Sequence, residues 1–174
     1  GWIYIGTGRY ERAKEMKNFN FAVTTQIQFG VGISEQAGAV ASGLIKPSTA
    51  GDATGVLVMV DPGLSKAAWL PKLLASLSDH DLQHHVFDTL KPNPRDEDII
   101  LAVDLVKANR LGGIIAIGGG STMDAAKGAA LIASHGGNIS DYAGWALVPG
   151  SVLPVVAIPT TSGSGSEATC WAVI

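Results

Sequence analysis

Short strand-like runs separated by helix-length segments constrain this chain more than any other feature. "VLVMV" (56–60), "HHVF" (84–87), "IIAI" (114–117) and "LPVVAIP" (153–159) are too short for core helices, and β-branched residues recur in them. The run at 56–60 is apolar at every position, the pattern of a parallel strand covered on both faces. Between the runs, the spacing predicts helices from 34 to about 44, up to about 77, over 96–108 and over 121–134. The segment 96–108 places Ile99, Ile100, Val103, Leu105 and Val106 at helical intervals. Strand and helix in alternation imply parallel strands joined by right-handed crossovers, hence an α/β, doubly wound, mainly parallel sheet with flanking helices. Residues 21–29, "FAVTTQIQF", alternate and predict a further strand or hairpin arm. Residues 1–20 are unlike the rest and are expected to be an extension or expression remnant outside a single domain at 21–174.

Length and charge narrow the function classes. A chain of 174 residues has room for one domain with a sizeable core. A net charge of −3, no basic run and few, scattered aromatics argue against a nucleic-acid partner. No apolar run reaches the roughly 18–20 residues of a membrane span, and residues 1–20 have no long apolar core of the signal-peptide kind. The single cysteine, Cys170, cannot form an internal disulfide and fits a reducing compartment, so the expectation is cytoplasmic.

Two stretches suggest a ligand. "IIAIGGGSTMDAAKG" (114–128) joins a buried strand to a helix through Gly118, Gly119 and Gly120. Glycine lets a ligand approach the backbone, and a helix N-terminus offers unpaired N–H groups to an anion. The stretch completes neither the G-x-G-x-x-G nor the Walker pattern, and glycine that merely permits a tight turn is the plainer reading. Ser121 and Asp124 have the Ser-x-x-Asp spacing of a capping box. "IPTTSGSGSEAT" (158–169) follows the last strand and carries hydroxyls at Thr160, Thr161, Ser162, Ser164, Ser166 and Thr169, suited to a polar ligand in the crevice beyond the strand ends. Asp61 ends the run at 56–60, where a carboxylate either accepts from ribose hydroxyls and repels a 2′-phosphate or serves as an ordinary turn residue. His84 and His85 point to opposite faces of a strand, and His80 and His135 lack partners at ligand spacing, so no metal site is predicted. Glu167 and Asp141 are isolated carboxylates without an assigned role.

In order, "IQFGVG" (27–32), "VMVDPG" (58–63), "VFD" with "PNP" (86–94), "IIAIGGGSTMDAAKG" (114–128), "ISDYAG" (139–144) and "LPVVAIPTTSGSGSEATCWAVI" (153–174) resemble the iron-containing, group III alcohol dehydrogenases over residues 21–174. The resemblance implies a Rossmann-like domain in which Gly119, Gly120 and Ser121, with Asp124 behind them, hold the pyrophosphate of NAD. It implies Asp61 at the adenosine ribose, favouring NAD over NADP, and Asn93 near the nucleotide. Thr160, Thr161 and Ser164 would line the rest of the cleft; Ser162 and Ser164 stand where alanine and threonine are common in the family. The family's helical C-terminal domain, with one Asp and three His for iron or zinc, is expected to lie beyond Ile174, so no catalytic or metal-ligating residue is assigned within this sequence. The implied reaction is hydride transfer between a small alcohol and its aldehyde or ketone, with a homodimer as the implied assembly. The alternatives are a member similar to dehydroquinate synthase or glycerol dehydrogenase, or a non-catalytic nucleotide-binding domain.

Overall fold

The computed structural model describes residues 25–45, 55–91, 93–144 and 147–174. The proposed extension at 1–20, residues 21–24 of the proposed arm, and most of the loop after the first helix lie outside the described residues. Among the described residues four parallel strands form the sheet: β1 (Gly55–Val60), β2 (Gln83–Phe87), β3 (Leu111–Gly118) and β4 (Val155–Pro159), in the order β2-β1-β3-β4. The chain runs from β1 outward to β2, then crosses back over β1 to β3, so winding reverses between β1 and β3. That reversal opens a crevice at the carboxyl ends of the strands.

Helices α1 (Ala37–Leu44), α2 (Leu70–Ser78), α3 (Asp96–Ala108) and α4 (Gly120–His135) cover the sheet. The pleat of the central strands separates two cores. Val56, Val58, Val60, Ile115 and Ile117 pack with Ala37, Ala41, Leu70, Leu73 and Leu77 of α1 and α2. Leu57, Met59, Ile114 and Ala116 face the other way, onto Ile99, Ala102, Val103 and Val106 of α3 and Met123, Ala126 and Ala129 of α4. Alternate residues of an unbroken apolar run thus enter different cores, which is why the run carries no polar face. Helix α3 starts where expected because Asp98 accepts the Arg95 amide at 3.0 Å and the acids Asp96, Glu97 and Asp98 favour the positive helix end.

Two expectations are corrected. Residues 25–29 are not a strand; they are exposed, with Phe29 at 99%. A β-rich segment needs a neighbouring ladder to fix it, and within the described sheet none pairs with this one. Second, Ser121 is not a helix cap. Gly119 occupies the N-cap position and α4 begins at Gly120, because the chain enters the helix directly from the strand end; Ser121 therefore lies in the first turn. Beyond α4, a 3-10 turn at Ile139–Tyr142 is started by Asp141 accepting the Asn138 amide at 2.8 Å.

Helices α1 and α2 touch through Gly38, whose amide donates to the Ser76 hydroxyl at 2.8 Å. A side chain at 38 would collide with the Ser76 carbonyl. Ser76→Ala leaves that buried amide without its acceptor, and chemical denaturation should show a loss of about 1–2 kcal/mol; an unchanged midpoint would mean that water or a backbone shift takes the hydroxyl's place.

Candidate functional site

The carboxyl edge of the sheet brings three sequence-distant stretches side by side. The Asp61 amide donates to the Ile117 carbonyl at 2.8 Å, and the Thr160 amide to the Gly118 carbonyl at 2.9 Å. The ends of β1, β3 and β4 are therefore laddered together, with Asp61, Gly118–Gly119 and Thr160 as adjacent chain exits. Asp61 opens a short 3-10 turn at Pro62–Leu64, and its Oδ1 accepts the Gly63 amide at 2.8 Å. This bond fixes the carboxylate at the strand end while leaving it partly exposed.

The glycines divide into two kinds. Gly118 is buried, and a Cβ there would overlap Thr122 and come within 3.0 Å of the Asp61 Cβ. Its small size lets α4 pack against the end of β3, a matter of structure alone. Gly119 and Gly120 face the hydroxyl-rich loop: a Cβ on Gly119 would lie 3.0 Å from Thr161 Oγ1, and one on Gly120 would lie 3.0 Å from Ser164 Cβ. Among the described residues no side chain caps the start of α4, and Thr161 and Ser164 stand opposite Gly119 and Gly120 at its first turn. The gap, the amides and the partly exposed hydroxyls fit an anionic, polar ligand.

The sequence-predicted residues do not all converge. Thr160, Thr161 and Ser164 are exposed beside the glycine turn, and Ser121 is exposed in the first helical turn. Asn93 is exposed beyond β2 with a left-handed φ of 54°, a conformation asparagine tolerates, and no described contact joins it to the glycine turn. Asp124 turns away from the gap: its Oδ1 accepts the Ser166 hydroxyl at 2.6 Å, its Oδ2 accepts the Val173 amide at 3.1 Å, and Lys127 Nζ stands 3.2 Å from Oδ1. Sequence reasoning missed Lys127, and it read Ser166 as one of the loop hydroxyls facing a ligand, whereas its hydroxyl donates to Asp124. The only signal for Lys127 was its place three residues after Asp124, where helical side chains meet.

An open hollow of about 490 Å³ lies elsewhere, lined by Ser78, Asp81, Leu82, Gln83, His84 and His85. It sits at the amino end of β2, opposite the edge where parallel α/β sheets take ligands. Among the described residues no three His, Cys, Asp or Glu side chains gather around a common point, so these residues do not fit a metal ion.

A model of the family described as iron-containing alcohol dehydrogenase matches residues 24–174. The chain belongs to the iron-containing alcohol dehydrogenase family. It is 38% identical over 118 residues to alcohol dehydrogenase 4 of Schizosaccharomyces pombe, covering 68% of this chain and 28% of that protein. It is 32% identical over 167 residues to choline dehydrogenase of Bacillus subtilis, covering 94% of this chain and 40% of that protein. Among solved structures, sulfoacetaldehyde reductase from Bifidobacterium kashiwanohense, in complex with NAD+, superposes with a TM-score of 0.74 at 28% identity, over 89% of this chain and 39% of that one. The chain thus spans well under half the length of these family relatives. The family match, residues 24–174, contains the α/β sheet and its carboxyl edge.

Proposed function

We propose that residues 21–174 are the dinucleotide-binding domain of an NAD-dependent alcohol dehydrogenase, with reversible oxidation of a small alcohol to an aldehyde or ketone as the reaction of the larger protein. The observation that carries this reading is the convergence of Asp61, the Gly119–Gly120 turn and the Thr160–Ser164 loop at one edge of the sheet. In it, the Gly120 and Ser121 amides hold the pyrophosphate, Thr161 and Ser164 donate from the facing loop, and Asp61 accepts from the adenosine ribose. Asp124 serves the cofactor through the loop it ties down, and Asn93 reaches the nucleotide from beyond β2. The nicotinamide of bound NAD would supply the hydride acceptor; the residues named here would hold the cofactor by its pyrophosphate and adenosine ribose. The iron or zinc of the reaction would need ligands other than the described residues.

Cytoplasmic location is supported by the single cysteine, which suits a reducing compartment. A homodimer is supported by the exposed apolar side chains of Ile27, Phe29 and Val31 ahead of α1.

Fluorescence titration with NADH tests the reading. Saturable binding is expected, with NADPH at least about tenfold weaker because Asp61 faces the 2′-phosphate. Asp61→Gly should weaken NADH and narrow or reverse that preference. Equal affinity for both cofactors in the unmodified chain would remove the ribose role of Asp61, and no saturation with either would remove the nucleotide site.

A further inference from the structure

One turn into α4, Asp124, Lys127 and Gly128 stand on one helix face, at i, i+3 and i+4. Lys127 Nζ donates to the carbonyls of Ser166 at 3.0 Å, Thr169 at 3.3 Å and Trp171. Asp124 accepts from the Ser166 hydroxyl and the Val173 amide. The Ile174 side chain lies so close to Gly128 that a Cβ there would come within 2.8 Å of it. Five hydrogen bonds from two side chains therefore grip residues 166–173. The pair is largely shielded, with side-chain exposures of 13% for Asp124 and 19% for Lys127, against 49% and 69% for the surface pair Glu35–Lys72. Shielding makes such bonds stronger than surface ion pairs.

A lysine ammonium has three N–H groups and no acceptor. Three carbonyls and the Asp124 carboxylate already surround it, so Lys127 is not placed to ligate phosphate itself. Its effect on a ligand passes through the loop. Ser166 is two residues from Ser164, and the Ser166 amide donates to the Ser164 hydroxyl at 3.4 Å. Ser164 in turn stands against Gly120, the first residue of α4. The helix that presents the first-turn amides thus also fixes the loop opposite them.

We propose that Asp124 and Lys127 are positioning residues that set the width of the gap between the Gly119–Gly120 turn and Ser164, and so the affinity for a dinucleotide's pyrophosphate. This rests on the nucleotide reading above. Releasing 166–173 would let Ser164 and Thr161 drift from the glycines without disturbing either core, because neither core cluster contains residues 160–174.

The test pairs NADH titration with hydrogen exchange on the full chain, for Lys127→Met and for Asp124→Asn/Lys127→Met, which leaves no orphaned carboxylate. Both should raise the NADH Kd by about tenfold or more and speed exchange of the 162–173 amides, while β1 and β3 amides keep their protection. Lys72→Met, which breaks only the surface pair, should change neither. Ser166→Ala, losing one hydroxyl, should give a smaller shift in the same direction and serves if Lys127→Met does not fold. Unchanged NADH affinity in a folded Lys127→Met or Ser166→Ala chain overturns the positioning role while the nucleotide site stands. Failure of the unmodified chain to saturate overturns the nucleotide site and the positioning role with it.

Discussion

Gly120→Asp should reduce NADH affinity by about 100-fold or more while leaving the fold intact. Gly120 is the first residue of α4, where an acidic side chain faces the positive end of the helix dipole and stabilises the helix by a few tenths of a kcal/mol. Stability therefore should not fall through helix propensity. The Cβ must fit 3.0 Å from Ser164 Cβ and 3.2 Å from its hydroxyl, which asks the exposed Ser164 to shift by a few tenths of an ångström while the bonds to residues 166–173 hold. The large effect is electrostatic. The new carboxylate occupies the gap proposed for the pyrophosphate, and two like charges about 4 Å apart near a protein surface repel by as much as about 4 kcal/mol. Gly120→Ala isolates the steric part and should cost less, about three- to tenfold, for the single methyl against Ser164. Titration of NADH fluorescence reads both. Gly120→Asp with affinity within about twofold of the unmodified chain, at an unchanged melting temperature, would place the phosphates elsewhere.

The sheet was legible because β1, β3 and β4 are written as compact apolar runs and α3 as a 3.6-residue period; β2, opening on Gln83, His84 and His85, carries the weaker signal. The run at 56–60 announced burial on both faces, and the structure sends its alternate residues into two cores. The arm at 25–29 misled for a physical reason: β-propensity describes fit to a ladder, and in the described sheet no strand supplies that ladder. The convergence of the site was legible only in outline. Parallel topology places Asp61, the glycines and Thr160 at one edge, so their adjacency follows from strand order. The spacing of Ser121 and Asp124 pointed to a cap, yet the N-cap is Gly119, two residues earlier, and Asp124 binds Ser166, 42 residues away. No local pattern encodes such a pairing. Lys127 escaped for the same reason: its three carbonyl partners are main-chain groups, which carry no residue-type signal at all.

The division among the glycines yields the second large effect, on folding. Gly118→Leu should destabilise the chain by about 3 kcal/mol or more, a large share of the roughly 5–15 kcal/mol that holds a typical domain together. Gly118 closes β3, pairs with Pro159 and is buried. A side chain there has no free direction: Thr122 Cβ lies 2.8 Å from the position of its first carbon, and Asp61 Cβ lies 3.0 Å away. Thr122 is 1% exposed and β-branched in the first turn of α4, so its rotamers are few. Relief must come from moving α4 away from the strand, which opens the core around Met123 and Ala126. Gly118→Ala should cost about 1–2 kcal/mol, and Thr122→Ala in the same chain should recover part of it by removing the overlapping hydroxyl. Urea midpoints measure both the loss and the coupling. Simple additivity of the two changes would show that the contact between Gly118 and Thr122 is not what keeps a side chain out. A Gly118→Leu chain with the unmodified midpoint would return all three glycines to a single role at the ligand.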